Sequence, residues 1–216
     1  MTSRTLLCYG DSNTHGTKPL TQPGVLERFG PDDRWPGVLR QTLGNDWIVL
    51  DEGLPGRTTV HDDPIDGLHK NGLAYLRPCI ESQLPLDLVV LMLGTNDLKA
   101  RFSVTPADIA KSIDVLLETL LACRAGPGGS TPHVLLMAPA PIEEIGFLGE
   151  IFTGGAAKSR KLAPLYERIA VKYGSAFLDA GDFVTVSPTD GIHYEAEQHH
   201  RLGKAVADVI RQRFGA

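Results

Sequence analysis

Ser12, Asp190 and His193 are of the three residue types that together move an acyl group through a serine. Ser12 stands in Gly10-Asp11-Ser12-Asn13, directly after the apolar run Leu6-Leu7-Cys8-Tyr9, where a short buried strand should end and a helix begin. A turn of that kind exposes a hydroxyl and aims the first helical N–H groups at any anion formed on it. The plainer alternative is that Ser12 only caps the helix. Far downstream, Asp190-Gly191-Ile192-His193 sets a carboxylate three residues before an imidazole, in a turn leading into the last helix. That carboxylate can fold back onto Nδ1 and fix the tautomer whose Nε2 takes a proton from serine.

Two further positions can meet a developing oxyanion. Gly94-Thr95-Asn96-Asp97 closes an apolar strand, and the Asn96 side-chain amide can point at such a charge or merely satisfy the turn. Gly56, in Gly53-Leu54-Pro55-Gly56-Arg57, offers a backbone N–H that no side chain shields. Asp11, His15 and Thr95 flank these groups and are candidates for substrate contact. His199 and His200 fall in the polar part of the last helix and are expected to be solvated, while His61, His69 and His133 fall in loops or at a strand edge. The acidic loops His61-Asp62-Asp63 and Asp32-Asp33 fit no zinc or EF-hand spacing and read as solvated loop charge, so no metal is expected. There is no P-loop or G-x-G-x-x-G to hold a nucleotide phosphate, and no G-x-S-x-G elbow of the α/β-hydrolases.

The elements that must position these residues are legible as alternating runs. Thr5–Tyr9, Trp47–Leu50, Leu88–Leu93, Val134–Met137 and Ala176–Leu178 read as short buried strands. Between them, Ile109, Ile113, Leu116, Leu117, Leu120 and Leu121 recur at helical spacing behind a start marked by Thr105, Pro106 and Asp108. A last helix carries Leu202, Val206, Val209, Ile210 and Phe214. Strands alternating with helices imply parallel strands covered on both faces, hence a three-layer α/β/α sandwich whose function gathers at the strands' carboxyl ends. Ser12 and Asn96 both lie at such ends. The long loops 13–32 and 51–70 carry Leu20, Val25, Leu26, Phe29, Val60, Ile65 and Leu68, more apolar side chain than a solvated loop needs.

A chain of 216 residues with 42% hydrophobic and 22% charged residues and a mean hydropathy of −0.06 suits one soluble globular domain over residues 1–216. A net charge of −5 without any Lys/Arg run argues against nucleic acid. The apolar stretch before Gly10 is too short for a signal-peptide core, and no window approaches the ~18 apolar residues of a membrane span. Cys8, Cys79 and Cys123 are odd in number and form no CxxC, as reduced thiols of a cytoplasmic protein would, with Cys8 packed in the first strand.

Four segments, Gly10-Asp11-Ser12, Gly56, Gly94-x-Asn96-Asp97 and Asp190-x-x-His193, resemble in order the four blocks of the SGNH (GDSL-like) hydrolases. The resemblance spans the chain and implies a flavodoxin-like sandwich on a five-stranded parallel sheet. It also implies a Ser12–His193–Asp190 triad, with an oxyanion hole formed by the Ser12 and Gly56 N–H groups and the Asn96 side chain. Glu27-Arg28-Phe29, Arg34-Trp35, Asp51-Glu52-Gly53-Leu54, Arg57-Thr58-Thr59 and Leu84-Pro85-Leu86-Asp87-Leu88 are similar to the bacterial arylesterase and acyltransferase group. That similarity implies hydrolysis of small carboxylic esters without a cofactor, and a homo-oligomer, an octamer among the possible forms. Carbohydrate O-acetyl esters are the alternative substrate. His15 and Thr17 stand where the best acyltransferases of the group carry tryptophans, so hydrolysis is expected to outrun acyl transfer.

Overall fold

A computed structural model describes residues 3–215. Met1 and Thr2, which open the segment read as too short for a signal peptide, lie outside them. Five strands, β1 (Arg4–Gly10), β2 (Trp47–Gly53), β3 (Leu88–Met92), β4 (His133–Ala138) and β5 (Ala176–Asp179), form one sheet in the order β2-β1-β3-β4-β5. Every neighbouring pair is parallel. This is the doubly wound order in which the chain leaves the middle of the sheet in both directions, so a crevice opens between the carboxyl ends of β1 and β3.

The α-helices are α1 (Ser12–His15), α2 (Trp35–Leu43), α3 (Gly72–Gln83), α4 (Pro106–Ala122), α5 (Gly155–Ser159), α6 (Leu162–Tyr173) and α7 (Ala196–Phe214). Side chains alternate across a strand, and β1 feeds both cores accordingly. Leu7 and Tyr9 join the core of α3, α4 and α6, while Leu6 and Cys8 join the core of α2 and α7. Burial on both faces is why the central strands β1, β3 and β4 read as nearly unbroken apolar runs. Cys8 has no exposed surface, and burial, with the Asp51 carboxylate nearby, holds its thiol well above the ordinary range. The start of α4 is a capping box: Thr105 Oγ1 accepts the Asp108 N–H at 3.2 Å, and the Asp108 carboxylate accepts the Thr105 N–H at 3.0 Å.

Two expectations are corrected. His199 is not solvated: it has 0% exposure, its ring edge-on to Phe29 and Tyr194 at centroid distances of 5.4 and 5.6 Å. It belongs to the buried side of α7 with Leu202, Val206 and Ile210, three, seven and eleven residues on. Burial, then the nearby His193 and His200, lower its pKa to about 3, so it is neutral. His200, by contrast, is partly exposed, 3.6 Å from Asp33. The second correction is Asp63, which is fully buried and lies 3.5 Å from Lys99 Nζ and 3.3 Å from Arg101 Nη2 rather than in solvent.

Candidate active site

The turn after β1 is built around Asp11. It caps the single-turn α1, its Oδ1 accepting the Asn13 N–H at 3.0 Å. Gly10 precedes it because the backbone passes so near its surroundings: a Cβ there would stand 2.0 Å from Thr14 Oγ1 and 2.9 Å from the Met92 carbonyl. Ser12 follows, 4% exposed. Among the described residues its N–H donates to no other group, nor does that of Gly56.

Asp190 and His193 come from the segment before α7. Asp190 Oδ2 lies 2.6 Å from His193 Nδ1 and also accepts the Leu20 N–H at 2.7 Å. Its Oδ1 accepts the N–H groups of Ile192 and His193, each at 3.0 Å. Burial alone would raise the pKa of this carboxylate, but the His193 hydrogen bond and charge, with the backbone donors, hold it at about 2. It is therefore ionised at any physiological pH. Asn13 ties this segment to the Ser12 turn, its Nδ2 donating to the Ile192 carbonyl at 3.0 Å and its Oδ1 accepting the Tyr194 N–H at 3.2 Å.

The third and fourth pieces meet opposite. Asn96 Nδ2 donates to the Arg57 carbonyl at 3.1 Å, which orients the amide and leaves its second hydrogen free. Gly56 adopts φ +81°, a left-handed conformation that favours glycine. Next to it, Arg57 is buried, its Nη1 donating to the carbonyls of Gly10 at 2.8 Å and Glu52 at 2.5 Å and its guanidinium 4.2 Å from the centre of the Tyr9 ring. Asp97 fastens the same two segments, accepting the Thr59 N–H at 3.0 Å and the Thr59 hydroxyl. Tyr166 donates to the Leu93 carbonyl at 3.0 Å and holds the end of β3.

Ser12, Gly56, Asn96 and His193 all line one cavity of about 310 Å³. Leu20, Leu26, Ile65, Leu148, Ile151, Phe152 and Ile192 make its apolar wall; Asp66, Lys99 and Arg101 make a charged one. A serine hydroxyl, an imidazole backed by an ionised carboxylate, and residues carrying three N–H groups around one small cavity are of the types that acyl transfer to and from serine needs. Asp11, His15 and Thr95 do not line it. Asp11 is buried, and burial first of all raises its pKa to about 6 against hydrogen bonding and nearby positive charge; its Oδ2 and Thr95 Oγ1 lack partners among the described residues. His15 is half-buried, its Nδ1 3.0 Å from Thr17 Oγ1; burial, then Arg28, lower its pKa to about 4. Sequence reasoning gave no role to Asn13, Arg57, Asp97 or the charged wall. Their short-range signal is only adjacency to the motif residues.

The GDSL-like lipase/acylhydrolase family model matches residues 8–201. Among solved structures, the native aryl esterase of M. smegmatis is 42% identical with a TM-score of 0.92, over 97% of this chain and 99% of that one. A carbohydrate acetylesterase from Sinorhizobium meliloti is 40% identical with a TM-score of 0.92, also over 97% and 99%. A lipolytic G-D-S-L protein from Veillonella parvula, at 15% identity and a TM-score of 0.66 over 98% of both chains, shares the fold. No curated protein matches significantly by sequence. With the model covering most of its length, the chain belongs to the GDSL-like lipase/acylhydrolase family.

Proposed function

We propose that this chain is a serine esterase that hydrolyses small carboxylic esters, aryl or short-chain alkyl, through an acyl-enzyme. Ser12 Oγ attacks the ester carbonyl while His193 Nε2 takes its proton. The carbonyl oxygen, now anionic, is met by the N–H groups of Ser12 and Gly56 and by the Asn96 amide. His193 returns the proton to the leaving alcohol, then deprotonates the water that releases the acid. Asp190 keeps the ring in the tautomer this needs and faces the imidazolium as it forms. The observation that carries the reading is the Asp190–His193 contact of 2.6 Å in a segment tied by Asn13 to the Ser12 turn. These steps draw on protein groups and one water molecule.

A cavity of about 310 Å³ suits a small ester, and the aryl esterase likeness points the same way. The second reading, a carbohydrate O-acetylesterase with the same machinery, is favoured by the S. meliloti likeness and by a charged wall able to bond hydroxyl groups. We place the chain as one domain over residues 1–216 in the cytoplasm, where the unpaired Cys8, Cys79 and Cys123 would stay reduced. We also propose a homo-oligomer, with an octamer as one form, whose partner surface covers Val25, Leu26, Leu68 and the 72% exposed Ile65. Acyl transfer to alcohols would be a side activity.

The test is hydrolysis across phenyl acetate, phenyl octanoate and an acetylated sugar. Phenyl acetate should turn over faster than the octanoate. Faster octanoate turnover would overturn the small-ester reading, and a strong preference for the sugar acetate would select the second.

A further inference from the structure

Two of the oxyanion donors sit on separate loops. Gly56 lies early in the loop 54–71, and Asn96 opens the segment 96–102 that follows β3. Four charged side chains join these loops. Lys99 Nζ donates to Asp66 Oδ2 at 2.6 Å and lies 3.5 Å from Asp63 Oδ2. Arg101 Nη2 donates to Asp66 Oδ2 at 2.9 Å and lies 3.3 Å from Asp63 Oδ2. Asp63 turns its other oxygen inward, Oδ1 accepting the N–H groups of Ile65 at 2.9 Å and Asp66 at 3.0 Å, which shapes the loop around the cluster.

The cluster stands beside the donors. A Cβ built on Gly56 would lie 3.9 Å from Asp66 Oδ2, and Asp66, Lys99 and Arg101 share one cavity with Gly56 and Asn96. Its two cations match its two anions, and Lys70 adds a further positive charge beside Gly56, its Cε 3.4 Å from the same Cβ position. Asp63 and Lys99 are buried. Withdrawing the charges of Asp63 and Lys99 from water is a costly way to close a loop that apolar side chains could close. What charged hydrogen bonds add is direction, since each fixes an angle as well as a distance. Thr59 and Asp97 make a second clasp between the same loops, so the charged cluster is not needed merely to attach one to the other.

We propose that Asp66, Lys99 and Arg101, seated on Asp63, are positioning residues that hold the Gly56 N–H and the Asn96 amide at the spacing a single oxyanion requires. The proposal rests on the esterase reading above. It assigns the cluster to kcat, because donors set for the transition state act there more than on substrate binding.

Steady-state hydrolysis of phenyl acetate by Asp66→Asn and Lys99→Met, each alone and combined with Asn96→Ala, tests this. Each single variant should lose roughly 10-fold to 100-fold in kcat with KM moving by less than about threefold, as displacement of a catalytic group by an ångström or less would produce. Lys99→Arg should recover most of the loss. In the Asn96→Ala background the same substitutions should cost at least about threefold less, because one of the donors they position is gone. Should Lys99→Met fail to fold, Asp66→Asn decides, since its carboxylate is partly exposed and the amide keeps an acceptor of the same size. An unchanged kcat in folded Asp66→Asn, or a loss that multiplies in full onto Asn96→Ala, overturns the clamp alone. A Ser12→Ala protein as active as wild type would overturn the esterase reading and the clamp with it.

Discussion

Acid should destabilise this fold through His199, and the size of the effect can be worked out. The ring is fully buried, edge-on to Phe29 and Tyr194, and both nitrogens lack hydrogen-bond partners among the described residues. Its pKa falls from the ordinary 6.5 to about 3 in the fold, burial being the main cause. The unfolded chain therefore takes up a proton as pH drops below 6.5 while the folded chain does not, so stability declines from there down to about pH 3. Between pH 7.5 and pH 5 this amounts to about 2 kcal/mol, one and a half pH units at ~1.4 kcal/mol each. Urea unfolding of wild type and of His199→Phe at both pH values isolates the histidine's contribution. Any repacking cost of the larger ring is the same at both and cancels in the difference. Wild type should lose about 2 kcal/mol more than the variant over that interval. Equal losses would mean that His199 can be protonated inside the fold, and the reasoning would fail.

Asn96→Ala should lower kcat roughly 10²-fold to 10³-fold with a smaller change in KM, because the amide meets charge that exists only in the transition state. Stopped assays over a range of phenyl acetate concentrations separate the two constants; a loss confined to KM would place Asn96 in ground-state binding. Asp190→Asn should cost about 10⁴-fold, since the amide favours the wrong imidazole tautomer, and a near-normal rate would break the proposed triad. Light scattering at micromolar concentration should give a multiple of 23.3 kDa. A single-chain mass unchanged on concentration would show that Leu26, Ile65 and Leu68 are not covered by another copy.

What the sequence displayed and what it hid follow from how local each determinant is. The central strands β1, β3 and β4 announced themselves because both faces are buried, and α4 because Thr105, Pro106 and Asp108 act within one turn. The motif residues stood at strand ends, which a parallel sheet brings to one edge. His199 was misread because Glu195, Glu197, Gln198, His200 and Arg201 around it are polar. Extending the 3.6-residue period back from Leu202 and Val206 would have put it inside. Asp63 looked like solvated charge beside Asp62. Its partners lie 36 and 38 residues ahead, at Lys99 and Arg101, and pairing across that separation leaves no periodic trace. His15 sits only a few residues from Ser12 along the chain, yet the helical turn of α1 carries it out of the cavity lining.

The claim on which the rest depends is that Ser12 carries the acyl group. Intact-mass analysis after rapid quenching with phenyl acetate, followed by peptide mapping, reads it directly. Wild type should show one added acetyl group per chain, mapped to Ser12 and absent from Ser12→Ala, with hydrolysis lost by about 10⁴-fold or more in that variant. A folded Ser12→Ala protein that keeps more than about a tenth of the activity, or an acetyl group mapped to another residue, would contradict the account and leave Ser12 as no more than the first residue of a capped turn.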